Sequence, residues 1–188
     1  MKYYITADIH GFYTEFHKAL DEAGYFTDPE PHKLIILGDI FDRGQEAVEM
    51  QRFILSLLEQ DILCYRQIIP AMVDYYETAH YVFVHGWIPC IQERDGSYSH
   101  RSDWREATPE EWRRARWCNG MDAAQACTEE KTILCGHWHC SYGHARYENK
   151  GSEFGPDADF SPYYGPGVIA LDACTAYSGK INILTLED

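Results

Sequence analysis

The chain has 188 residues, of which 45% are hydrophobic and 24% charged, a composition of ordinary globular domains that excludes collagen-like and disordered chains. Sixteen Lys and Arg against thirty Asp and Glu leave a formal net charge of −14, which repels phosphate backbones and anionic lipid, so nucleic acid and membrane are excluded as partners gripped by charge. Area scaling lets a chain of this length bury about 70% of its unfolded surface, enough for a core without disulfides.

Lys2 to Ala7 reads as a short strand that stops at Asp8-Ile9-His10-Gly11. Phe12 to Ala23 places Phe16, Ala19, Leu20 and Ala23 on one helical face, with Gly24 as a C-terminal stop. Leu34 to Leu37 is a continuous apolar run of the kind buried on both faces of a sheet, and it ends at Gly38-Asp39. A second helix follows, with Ala47, Met50, Ile54, Leu57 and Leu58 in register. Ile62 to Tyr65 reads as a third short strand, Gln67 to Ala79 as a helix with Pro70 in its first turn, and Tyr81 to Val84 as a strand ending at His85-Gly86.

Ile88 to Ser102 is polar and reads as a surface loop. Thr108-Pro109-Glu110-Glu111 combines a capping box with Pro at the first helical position, which predicts a helix that carries Arg113, Arg114 and Arg116 toward Trp117. Thr132 to Cys135 is a strand ending at Gly136-His137-Trp138-His139. Ser141 to Gly167 reads as a Gly-, Tyr- and Pro-rich loop, and Val168 to Ala173 with Lys180 to Leu186 as a final hairpin. The β-α-β-α order argues for a mostly parallel sheet covered by helices, and residues 1–188 read as one domain.

The seven cysteines are odd in number and mostly sit in apolar runs, which suggests reduced thiols. The start of the chain meets Asp8 before any apolar stretch reaches signal-peptide length, and the expected location is the cytoplasm.

Four predicted strands end in candidate ligands: Asp8 and His10, Asp39, His85, then His137 and His139. Ligands in open α/β sheets gather beyond the C-terminal strand ends, so these six side chains are expected to converge. A mixed Asp and His set suits Mn, Fe or Zn better than calcium, and Asp39 is placed to bridge two cations in a hydrolytic two-metal site. The other histidines, His17, His32, His80, His100 and His144, read as structural or exposed, with His80 the one that could be recruited as a ligand.

Asp8-Ile9-His10, Gly38-Asp39-Ile40-Phe41-Asp42-Arg43-Gly44, His85-Gly86-Trp87-Ile88-Pro89 and Gly136-His137-Trp138-His139 together resemble the calcineurin-like metallophosphoesterases, in the branch of bacterial serine/threonine-type phosphatases and diadenosine-tetraphosphatase-like enzymes. The resemblance implies a four-layer α/β/β/α sandwich, in this chain somewhat truncated in the middle. It implies one metal held by Asp8, His10, Asp39 and His139, and a second by Asp39, His85 and His137. It also implies catalytic roles for Asp39, Asp42 and Arg43, with Arg43 binding the substrate phosphate; Arg116 is the candidate for a second phosphate-binding Arg.

The chain departs from that family in one place. Members carry Gly-Asn-His-Glu after the third strand, but here Ile62 to Arg66 runs into Gln67-Ile68-Ile69-Pro70, and no Asn precedes Asn119. The second metal is then expected to bind more weakly, completed by water or Gln67, and the proton donor to the leaving group is missing, which slows poor leaving groups most. The implied function is divalent-metal-dependent hydrolysis of a phosphate monoester, as in phosphoserine and phosphothreonine phosphatases, by attack of metal-bound hydroxide. Dinucleoside polyphosphates are the alternative substrate. A catalytically impaired module that binds metal and phosphate groups is the alternative function.

Overall fold

Alternation along the strands decides how the layers stack. In β1 (Lys2–Thr6), Tyr3 and Ile5 enter one core while Tyr4 turns to the opposite face, against Tyr25. In β2 (His32–Ile36), Ile35 joins Tyr3 and Ile5, whereas Leu34 and Ile36 face the other way. The computed structural model describes residues 1–57 and 72–188.

Two sheets result. The first has the order β10-β1-β2, with β2 parallel and β10 (Leu184–Glu187) antiparallel to β1. The second has the order β3-β4-β7-β9-β8, built from β3 (Tyr75–Glu77), β4 (Tyr81–Val84), β7 (Thr132–Cys135), β8 (Tyr163–Gly165) and β9 (Val168–Ala170). Its three central strands are parallel and its two outer strands antiparallel to their neighbours. Tyr3, Ile5, Ala7 and Leu37 from the first sheet and its flanks pack on Phe83, Leu134 and Leu171 from the second, so the sheets are face to face.

Helices cover both outer faces. α1 (Tyr13–Glu22) and α2 (Ala47–Leu57) lay Phe16, Leu20, Met50 and Ile54 on Leu34 and Ile36. On the other side, α3 (Pro109–Ala115), α4 (Gly120–Ala123) and α5 (Cys140–Tyr147) cover Val82, Val84, Ile133, Val168 and Ala170. This is the α/β/β/α sandwich expected from the sequence. Each fully buried Leu, Ile, Phe or Met contributes roughly 1.5–3 kcal/mol, which makes these three cores the main source of stability. Among the described residues no helix is long and apolar enough to cross a membrane, and the six described cysteines are free thiols.

Several expectations fail for identifiable reasons. Ile88 to Ser102 is not a plain loop: it folds back as a hairpin of β5 (Cys90–Gln92) and β6 (Tyr98–His100), turned by Asp95-Gly96 with Gly96 left-handed. The Ser141 to Gly167 stretch begins with α5 and ends with β8. β9 and β10 do not pair as a hairpin. They join different sheets, because the short helix α6 (Thr175–Ser178) and the Asn182 amide, which donates to Phe160 O and Leu171 O, redirect the chain. The helix expected over Gln67 to Ala79 is overturned in its described part, where Tyr75 to Glu77 pairs with β4. The strand Ile62 to Tyr65, the start of that helix and the substitute ligand Gln67 lie outside the described residues.

The helix start at Thr108 forms as expected. Thr108 Oγ1 accepts from Glu111 N, and Glu111 returns its carboxylate to Thr108 N at 2.7 Å. Trp112 of this helix stacks on Tyr75 at 5.2 Å and meets Trp104 edge-on, while the Arg105 guanidinium lies 4.1 Å from the Trp104 ring centre and pairs with Glu77 and Glu129. Thr108→Ala is expected to cost about 1 kcal/mol, read as a lower midpoint of chemical unfolding at unchanged slope.

Candidate metal centre

The loops that leave β1, β2, β4, β7 and β9 are tied to one another by their backbones. His10 N donates to Asp39 O at 2.8 Å, Gly44 N to His10 O at 2.6 Å, and Gly136 N to His85 O at 2.7 Å. These ties bring Asp8, Asp39 and His85 together, with candidate ligand atoms within 4.8 Å of one another, and likewise His10, Asp39 and Asp42. Asp39 belongs to both groups.

Backbone strain collects here. Six non-glycine residues among those described have left-handed φ, and four of them are Asp8, His10, Arg43 and His137, with a fifth, Cys174, two residues past the buried Asp172. Such conformations cost of order 1–3 kcal/mol each and are kept where the aim of a side chain matters. Close approach is the second device. A Cβ on Gly38 would lie 2.5 Å from Asp8 Oδ1, and a Cβ on Gly136 would collide with Asp8 Oδ2, so the Asp8 carboxylate occupies space that only glycine leaves open.

Hydrogen bonds fix how each ring is presented. His85 Nδ1 lies 2.9 Å from Leu37 O, a carbonyl that can only accept, so Nδ1 carries the proton and Nε2 keeps its lone pair. His10 Nδ1 meets Asp42 Oδ1 at 2.7 Å, and the other Asp42 oxygen is 3.3 Å from Arg43 Nε. His137 is held by its backbone, which donates to Asp8 Oδ2 at 2.7 Å, and its ring centre is 5.0 Å from that of His85. His139 stands apart from both groups. Its Nδ1 lies 2.9 Å from the Ser141 hydroxyl and its Nε2 3.3 Å from Glu153 Oε1.

Burial dominates the electrostatics of this cluster. Burial, reinforced by the Asp39 charge, raises the Asp8 carboxyl to about 7 against the pull of the His137 amide. Burial, then the Asp8 charge, raises Asp172 to about 7 as well. Burial and neighbouring His85 push His137 down to about 4, and burial also lowers His85 and His139, leaving imidazoles neutral at pH 7. Buried carboxylates beside neutral imidazoles form a donor set that fits a divalent ion of the Mn, Fe or Zn type.

The cations of the chain sit at the margin. Arg43 is mostly exposed, yet its charge reaches far enough to lower Asp8 and Asp172. Arg116 lines one cleft of about 470 Å³ with Asp39 and His85, where its guanidinium pairs with Asp74. His80, the histidine open to recruitment, is instead bonded to Asp188. Sequence reasoning missed Asp172 and Glu153. Asp172 follows β9 as Asp8 follows β1, but the sequence reading ran that strand on to Ala173 and so placed Asp172 inside it and not at its end; Glu153 lay in what read as a Gly-, Tyr- and Pro-rich loop.

Gly136→Ala is expected to dislodge the Asp8 carboxylate or the turn that faces it, at a cost of about 1–3 kcal/mol, measured by guanidinium unfolding.

Residues 1–73 match the family model described as calcineurin-like phosphoesterase. A bis(5'-nucleosyl)-tetraphosphatase PrpE (asymmetrical) from Geobacillus sp. (strain WCH70) is 37% identical over 71 residues, 35% of this chain and 29% of the relative. A symmetrical bis(5'-nucleosyl)-tetraphosphatase from Aromatoleum aromaticum is 37% identical over 57 residues, 30% of this chain and 20% of the relative. The aligned part thus spans less than a third of the length of these curated relatives. A solved structure described as that of "a putative diadenosine tetraphosphatase" superposes on 100% of this chain and 94% of its own, with TM-score 0.53 and 14% identity, which shows a shared fold. The N-terminal motif region is thus similar to calcineurin-like phosphoesterases and to bis(5'-nucleosyl)-tetraphosphatases, and the whole chain shares the sandwich fold of the solved structure.

Proposed function

We propose that the chain is a divalent-metal-dependent phosphoesterase. The observation that carries this reading is the meeting of Asp8, Asp39 and His85 with His10, Asp39 and Asp42, two groups sharing one carboxylate at strand ends held in left-handed conformations. Asp8, His10 and Asp39 would hold one ion, and Asp39, His85 and His137 a second; His139, paired with Glu153, lies outside both groups. Bound divalent cations supply such a site with an activated water and a clamp on the phosphate oxygens. Asp42 orients His10, and Arg43 and Arg116 supply guanidinium donors for a phosphate group.

The names of the relatives support dinucleoside polyphosphates over phosphoserine or phosphothreonine proteins as substrates. The phosphoprotein reading rests on the motif resemblance alone. The missing Gly-Asn-His-Glu string supports the second reading, a module that binds metal and phosphate without turnover.

With excess Mn²⁺ the chain is expected to hydrolyse p-nitrophenyl phosphate, whose leaving group needs little proton donation. Asp39→Asn is expected to lower that rate at least about 100-fold, beyond the 10–100-fold loss typical of residues that merely orient a ligand. Wild-type hydrolysis at background, with Mn²⁺ bound, would leave the binding module as the surviving reading. Asp42→Asn is expected to weaken Mn²⁺ affinity about 10–100-fold by titration calorimetry. The rate on diadenosine tetraphosphate should exceed that on a phosphoserine peptide, and the reverse order would return the phosphoprotein reading.

A further inference from the structure

Five tryptophans divide sharply by environment. Trp87, Trp104 and Trp112 are at most 4% exposed, whereas Trp117 is 69% exposed. An indole left in water forgoes the burial that makes tryptophan worth placing in a core, and a lone exposed aromatic carries no message by itself. The position of Trp117 supplies one. Its ring stands at 83° to the His137 ring with centres 5.2 Å apart, so it borders the candidate metal centre. It directly follows Arg116, which lines the cleft of Asp39 and His85.

The backbone holds it there. Trp87 N donates to Ala115 O at 3.0 Å and Trp117 N to Arg114 O at 3.0 Å, and a Cβ on Gly86 would collide with Arg116 O. The segment after α3 therefore lies directly on the His85-Gly86 turn, and α3 itself is anchored by its cap and by Trp112. Trp117 is an exposed ring on a rigid mount beside guanidiniums and imidazoles.

A chain of net charge −14 gains little from long-range attraction of a polyphosphate, so an uncharged contact that holds the other end of the substrate is worth more here than on a basic protein. Aromatic stacking provides such a contact, because every base offers a π face. We propose that Trp117 is a nucleobase subsite: the base of a nucleoside polyphosphate stacks on its indole while the phosphates lie toward Arg116 and His137. This assignment rests on the phosphoesterase reading and names the substrate class for it.

Binding is tested on the full chain by tryptophan fluorescence and calorimetry, with diadenosine tetraphosphate and inorganic tripolyphosphate as probes and no turnover required. Diadenosine tetraphosphate should quench a signal that Trp117→Phe removes. Trp117→Ala should weaken its binding about tenfold, Trp117→Phe much less, and tripolyphosphate affinity should change less than about twofold in either variant. Equal weakening for both probes, or no weakening for the dinucleotide, overturns the subsite. Trp117-dependent binding in a protein that hydrolyses no phosphoester would uphold the subsite and sink the phosphoesterase reading. Hydrolysis of p-nitrophenyl phosphate without Trp117-dependent binding would do the opposite.

Discussion

The fold closes around one carboxylate. Asp8 leaves β1 in the first sheet, accepts from the backbone of His137 in the loop after β7 of the second, and lies between Gly38 and Gly136, whose missing side chains make room for it. That contact joins the two sheets at the edge where the candidate ligands gather. It also explains why Gly-Asp and Gly-His recur: the glycine clears the space and the next residue supplies the donor. Charge at this depth costs several kcal/mol when unpaired, which is why Asp8 holds its proton more tightly than a free carboxyl.

The acidic surplus and the candidate site are parts of one arrangement. Burial holds the imidazoles neutral while the carboxyl groups of Asp8, Asp39 and Asp172 gather at the same place, and the guanidiniums stay outside on Arg43 and Arg116. A divalent cation would reverse the local field, so an anionic ligand would meet attraction there only with metal in place. The net charge of −14 repels polyanions over the surface as a whole, and a loaded centre would draw them to one edge of the sandwich.

Much of this was legible in the sequence because the signals were local. Val82 and Val84 alternate with Tyr81 and Phe83, and Thr108 with Glu111 makes a cap that needs no tertiary help. The candidate ligands Asp8, Asp39 and His85 stood out because each follows a strand, and the structure brings the three together. What failed depended on contacts distant in sequence. β9 and β10 look like a hairpin until Asn182 and α6 send the second of them to the other sheet. Tyr75 to Glu77 becomes a strand through pairing with β4 and stacking of Tyr75 on Trp112, neither of which a helical periodicity can reveal. His139 answers to Glu153 across α5 and the turn after it, a stretch that read as loop in the sequence.

The placement of β10 bears on how the molecule is made. Lys2 pairs with Glu187 and Ile5 with Leu184, so β1 lies between an early neighbour, β2, and one that emerges last. Pairing β1 with β10 closes a loop that spans nearly all the described residues, whereas the strands of the second sheet pair with neighbours nearer in sequence. Closing so long a loop is entropically costly and slow, and an unpaired β1 edge in the interval invites pairing with other chains. β1 also ends in Asp8, so the strand that this long-range pairing completes is the one that carries a candidate ligand to the site.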